Sequence, residues 1–129
     1  DLDEALATLK GTRRRVGIMA EDHIGFVLLI DRKFVSEPEK NWDKPIPLNA
    51  GSHVITAEYS NGPYTARADI NLEAKPGTTY QLMILNGTEG PGGVRFNDFW
   101  IVNSADEVVS QVHHITVSGG TNFDPFTAR

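Results

Sequence analysis

The chain has 129 residues, a formal net charge of −5 at neutral pH, 40% hydrophobic and 22% charged residues, and no cysteine. That length suits one soluble domain whose core needs no staples, and the balance is that of a globular chain rather than a disordered one. Disulfides and thiolate metal sites are excluded, and the acidic balance argues against a nucleic-acid partner, which needs a basic stripe.

The basic run Arg13-Arg14-Arg15 sits near Asp1, Asp3 and Glu4 and reads as a solvated strand end or linker in preference to a patch for anionic surfaces. In chain order, Leu2, Ala5, Leu6 and Leu9 fall near one face of a 3.6-residue period with Gly11 as a stop, which predicts a short N-terminal helix. Residues 1–12 are expected to be a lead-in or tether, and 13–129 one β domain. The chain opens at Asp1 rather than Met, so removal of an upstream segment is expected, and that segment could have carried an export signal.

From Arg13 onward the pattern is strands and turns. Arg15 to Ala20 predicts a first strand, and Gly25 to Ile30 a second that is apolar on both faces and so central or covered on both sides. The run from Ile24 to Ile30 is the longest apolar one, far short of the ~20 residues of a membrane helix. Asp31-Arg32-Lys33 is a polar turn, Ser36 to Lys44 an exposed loop with Trp42 as its odd member, and Pro45 to Leu48 a short edge piece. His53, Ile55, Ala57 and Tyr59 alternate with polar neighbours, as do Tyr64, Ala66, Ala68, Ile70 and Leu72 beyond the turn cluster Ser60-Asn61-Gly62-Pro63. Two period-two runs so joined predict a β-hairpin, its small alanines leaving room for large side chains from a facing sheet.

Lys75-Pro76-Gly77-Thr78 has the order of a type II turn. Thr79 to Leu85 predicts a strand, Asn86 to Gly93 a glycine-rich loop, and Phe96 to Val102 with Glu107 to Val117 a final hairpin about Asn103–Asp106. Phe123 and Phe126 in the tail are expected to tuck back onto the body. The sum is an all-β antiparallel sandwich of seven to eight strands.

Two stretches carry a resemblance. Val27-Leu28-Leu29-Ile30-Asp31-Arg32-Lys33-Phe34-Val35 followed by Ile46-Pro47-Leu48-Asn49-Ala50-Gly51-Ser52-His53-Val54-Ile55-Thr56-Ala57 is similar to the PEGA-type β-sandwich modules of bacterial envelope proteins. Ala74-Lys75-Pro76-Gly77-Thr78-Thr79-Tyr80-Gln81-Leu82 resembles a segment of small envelope lipoproteins. Arg32 stands where such modules usually have the turn glycine, and the loop from Ser36 to Lys44 is long. The resemblance implies an immunoglobulin-like accessory, display or interaction domain in the periplasm or at the cell surface, a lipid anchor upstream of Asp1, and no catalytic residue to carry over.

Residues that look chemical each have a plainer reading. Adjacent strand residues point to opposite faces, so His113 and His114 cannot chelate one ion together, and spacing gives no third ligand from His23 or His53. Glu21-Asp22-His23 could serve acid–base chemistry but also suits a turn. Ser104, Asp106 and His113 lack a nucleophile elbow. Asn86 to Gly93 has neither the following helix nor the lysine of a nucleotide loop. Asn86-Gly87-Thr88 is a formal glycosylation sequon. Asp98, Asp106 and Asp124 do not form a calcium motif. No metal or cofactor is expected.

The function expected is a non-enzymatic envelope interaction module for a protein, peptide or glycan partner, acting through a loop end or an open sheet edge. The alternative is a small-ligand or carbohydrate-binding sandwich using Trp42, Trp100 and Phe99 with nearby Asn and Asp side chains.

Overall fold

A computed structural model of the chain describes residues 5–16, 21–61, 64–117 and 120–123, with 15, 16, 21, 117 and 120–123 described by backbone alone. Eleven strands follow in order: β1 (Ala7–Lys10), β2 (Thr12–Val16), β3 (Glu21–Ile30), β4 (Lys33–Phe34), β5 (Ile46–Leu48), β6 (Gly51–Asn61), β7 (Tyr64–Ala74), β8 (Thr79–Glu89), β9 (Val94–Asn103), β10 (His113–Val117) and β11 (Gly120–Phe123). They form two facing sheets. The front sheet has the order β10-β9-β8-β1-β5, and the back sheet β11-β7-β6-β3-β2 with β4 on β3. Pairing is antiparallel except for β1 with β8 and β11 with β7.

The β6–β7 hairpin forms as its alternation predicts, from Gly51↔Ala74 to Asn61↔Tyr64. Ile55, Ala57, Tyr59, Ala66, Ala68, Ile70 and Leu72 share one core with Leu82, Ile84, Phe99, Ile101 and Ile115 of the front sheet. Each fully buried aliphatic among them contributes ~1.5–3 kcal/mol. The predicted turn at Lys75 is also present, with Gly77 at φ 70° and Thr78 N–H bonded to the Lys75 carbonyl at 3.3 Å. Tyr80, buried at the strand start, accepts the Lys75 N–H on its hydroxyl at 2.9 Å. β3 lies between β2 and β6 with Phe26, Val27 and Leu28 buried, as its two apolar faces require.

Three expectations are corrected. Residues 7–10 are a strand, not part of a helix. Ala7 and Leu9 point into the core while Thr8 and Lys10 do not, because pairing with β5 and β8 on either side imposes period two on a sequence that also fits a helical stripe. The strand count exceeds seven to eight, since β1, the short β4 and β5, and β11 in the tail are all hydrogen-bonded. Finally, Asn86 to Glu89 extend β8 and only residues 90–93 turn, with Gly90 and Gly93 both at positive φ. Of the expected first strand, residues 17–20 lie outside the described residues, as does Phe126; Phe123 pairs with Arg67 through its backbone.

The sheets are tied together where the chain passes from β1 to β2 through Gly11. Its N–H donates to the Trp42 carbonyl at 2.7 Å, so the 35–45 connection, returning from back to front, seals the same side. A Cβ on Gly11 would lie 2.3 Å from the Gly25 carbonyl oxygen and 2.9 Å from that of Trp42. A Cβ on Gly25 would meet Ile84 Cγ2 of the facing sheet at 2.4 Å. We expect Gly11→Ala to destabilise by at least the ~1–3 kcal/mol of overpacking, and by more than Gly25→Ala, because backbone carbonyls cannot rotate aside as the Ile84 side chain can. Urea unfolding of the two variants measures the order, and a smaller loss for Gly11→Ala contradicts it.

Candidate functional site

The inner faces of β8 and β9 change character along their length. β8 presents Leu82 and Ile84 and then Asn86; β9, running the other way, presents Ile101 and Phe99 and then Asn97 and Arg95. Because Asn86 and Asn97 are direct cross-strand partners, the switch from apolar to polar falls on one rung of the ladder. Facing it from the back sheet are His23 of β3, Tyr59 and Asn61 of β6, and Tyr64 of β7. Together with Thr88 these groups line a cavity of about 230 Å³ at the end of the sandwich where β6 and β8 finish and β3, β7 and β9 begin.

A continuous hydrogen-bonded chain crosses this cavity. The His23 Nδ1–H donates to Asn86 Oδ1 at 2.9 Å, the Asn86 amide donates to Asn97 Oδ1, and the Asn97 amide donates to the Asp98 carbonyl at 3.2 Å. Asn97 is 1% exposed, and among the described residues no buried side-chain polar atom lacks a partner. A carboxamide offers two N–H groups and two lone pairs, so these bonds leave Asn86 and Asn97 with further capacity of both kinds. Ring faces frame the polar chain. His23 stacks at 5.5 Å from Tyr59, tilted by 42°, and the Arg95 guanidinium lies 4.3 Å from the centre of the Tyr64 ring. Among the described residues no carboxylate pairs with that guanidinium. Chemically the cavity can grip a small polar ring and an anionic group at its mouth.

The residues singled out in the sequence lie elsewhere. Phe99 is fully buried in the core and presents nothing to solvent. Trp100 is half-buried on a shallow groove of about 340 Å³ with Thr12, Arg13, Arg14 and Met83. Trp42 is half-buried 5.6 Å beneath the Arg13 guanidinium, and the groove at Trp100 does not include it. Arg13 thus lies over Trp42 and also lines the groove at Trp100.

The catalytic and metal candidates are also dispersed. His113 sits opposite Phe99, whereas Ser104 and Asp106 lie in the turn beyond Asn103, roughly 15 Å along the strand at ~3.3 Å per residue. The Asn103 side chain caps that turn through the N–H groups of Ala105 and Glu107. On the outer face, His114 meets Asp98 through Nδ1 and Glu89 through Nε2 at 2.7 Å. The bond to Asp98, ahead of the attraction to both carboxylates, raises its pKa against the smaller effect of burial. The two carboxylates engage opposite edges of the ring, and among the described residues no group of three His, Asp or Glu side chains could hold a metal. Asp22 faces Arg13 at 4.0 Å, on the opposite side of β3 from His23. Asp124 of the calcium candidate lies outside the described residues.

At the opposite end of the sandwich a clamp fastens the β3–β4 turn to β6 within the back sheet. Asp31 and Arg32 turn with φ of 51° and 70°, and Asp31 accepts the Val54 N–H at 2.8 Å and a His53 Nδ1–H at 2.6 Å. His53 Nε2 lies 2.6 Å from the Asn49 carbonyl, so both ring nitrogens face acceptors and the imidazolium is the form that satisfies them. Burial lowers the His53 pKa, but the bonds to Asn49 and Asp31 and the charges of Asp31 and Glu73 outweigh it, and the net shift is upward. Asp31 is held below the usual carboxylate range, first by the Val54 N–H and then by His53. A wide groove of about 700 Å³ beside this clamp, with Val108 and Val109 on its rim, stands open to solvent.

A raised histidine pKa in the folded state adds stability that is complete below the unfolded value near 6.5 and is lost as pH rises through the folded value. The stability difference between the wild type and His53→Gln should therefore be larger at pH 5.5 than at pH 9. Paired thermal melts at the two pH values measure it, and a constant difference rules the charged clamp out.

The chain matches no protein-family model, no curated protein and no solved structure.

Proposed function

We propose that this domain is a non-enzymatic recognition module of the bacterial cell envelope that holds its partner at the loop end of the sandwich. One observation carries the reading: the inner face of the front sheet turns polar on the rung Asn86–Asn97, His23 of the back sheet meets it, and Arg95 stands beside them around a cavity. Polar side chains in a sandwich interior cost desolvation that aliphatic ones do not, and a concave, largely apolar pocket with a few convergent polar groups is the usual form of a binding site.

The resemblance to PEGA-type modules supports the location in the periplasm or at the surface. The residues that carry it act in turns and at the clamp. Gly51 and Gly77 hold positive φ, Leu48 is buried, and Asp31 and His53 fasten the β3–β4 turn to β6. Arg32, in the place where glycine is usual, holds the left-handed conformation with its side chain 2.9 Å from Asp69. Such residues build a scaffold and leave recognition to the loop end.

The test is binding of labelled domain to an envelope fraction of the source cells. Binding should saturate, compete with unlabelled domain, and weaken about tenfold or more in Tyr64→Ala/Arg95→Ala while surviving Val108→Ser at the opposite end. Absence of saturable binding, or equal loss in both variants, refutes the loop-end reading.

A further inference from the structure

We propose that the end cavity binds one acidic sugar residue, a polyhydroxylated six-membered ring carrying a carboxylate. The inference rests on the loop-end reading above and names its ligand. About 230 Å³ displaces roughly seven or eight waters at ~30 Å³ each, which is room for one ring and its substituents rather than a chain.

The lining selects the chemistry. Tyr59, Tyr64 and His23 offer planar faces of the kind that stack on the C–H face of a sugar. Asn61, Asn86 and Thr88 present donors and acceptors side by side, as a pair of neighbouring hydroxyls requires. Asn97 stands behind Asn86 and fixes its orientation, and His23 fixes it from the other sheet.

Arg95 supplies the charge preference. Its guanidinium is held over the Tyr64 ring at the rim, 4.3 Å from the ring centre, without a carboxylate partner among the described residues. A planar fork so held takes a carboxylate through two parallel N–H bonds. A phosphate would call for more positive charge, and no lysine joins Arg95 in the lining. The neutral amides around it make a singly charged ring acid the best match.

The experiment is an NMR titration of ¹⁵N-labelled domain with sodium glucuronate, with glucose, and with an oligosaccharide ending in glucuronate. Glucuronate should move the side-chain amides of Asn86 and Asn97 and the Arg95 Nε–H with roughly millimolar affinity, and glucose should bind about tenfold more weakly or worse. Arg95→Gln, at an exposed position, should keep the rest of the spectrum and erase the difference between the two sugars. Binding of the oligosaccharide at least as tight as that of the free acid identifies a glycan terminus as the source, and a preference for the free acid identifies the monosaccharide; either supports the proposal. Equal binding of glucose and glucuronate by the wild type overturns it, as does silence of these amides toward both. If the amides stay silent while envelope binding still depends on Tyr64 and Arg95, the sugar assignment falls and loop-end recognition stands. If envelope binding fails as well, both fall.

Discussion

The architecture depends on how closely two backbones approach at Gly11. There the chain leaves the front sheet as β1 and enters the back sheet as β2 within a single residue, and the Gly11 N–H is satisfied by Trp42 on another connection between the sheets. Two crossings sealed against each other leave no space for a Cβ. Gly25, paired with Thr12 just beyond the crossing, extends the constraint inward by admitting Ile84 from the facing sheet. The separation of the sheets is thus set by backbone contact on this side, and the larger side chains of the core fill what remains.

That fixed separation gives the two ends of the sandwich different characters. Toward Asp31 hydrogen bonds from the β3–β4 turn to β6 and β7 fasten the margin of the back sheet, and they tolerate two non-glycine residues at positive φ because Asp31 and Arg32 each gain partners there. Left-handed backbone costs ~1–2 kcal/mol per residue, comparable with the charged hydrogen bonds that oppose it. Toward His23 the tie runs between the sheets, from His23 of β3 to Asn86 of β8. Beside it the inner faces keep the distance set at Gly11 and Gly25 and hold a space walled mostly by apolar and ring surface, with a few convergent polar groups.

How much of this was legible in the sequence depended on whether the signal was local. The β6–β7 hairpin and the turn at Gly77 were readable because alternation and turn residues act on their immediate neighbours. β1 was misread because its partners, β5 and β8, lie 37 or more residues away, and a stretch with leucines at mixed spacing takes the period its neighbours impose. The cavity was invisible for the same reason. His23 looked like a turn residue and Asn86 like the start of a loop; only the register of β8 on β9 puts Asn86 beside Asn97, and only the facing of β3 on β8 brings His23 to both. One clue was present: with the hairpin register assumed, the inner series Ile101, Phe99, Asn97 and Leu82, Ile84, Asn86 turn polar at the same step. The aromatics that drew attention, Trp42, Trp100 and Phe99, were conspicuous by size, and Phe99 serves packing alone.

The polar rung is also where the sequence departs most from what stability would favour. An aliphatic pair in place of Asn86 and Asn97 would extend the core by one layer, worth ~1.5–3 kcal/mol per side chain buried. The amides do not cost their full desolvation because His23, Asn86, Asn97 and the Asp98 carbonyl satisfy one another in series. A half-paired set in the same place would be strongly destabilising, so the chain of bonds is what allows polar groups to sit at the mouth of an otherwise apolar interior. It also holds them rigid before any ligand arrives, which lowers the ordering cost of binding. Local sequence choices that oppose packing, yet are fully supported by their neighbours, concentrate where a fold does its work. In this sandwich they concentrate at one end, beside a guanidinium held over a tyrosine ring.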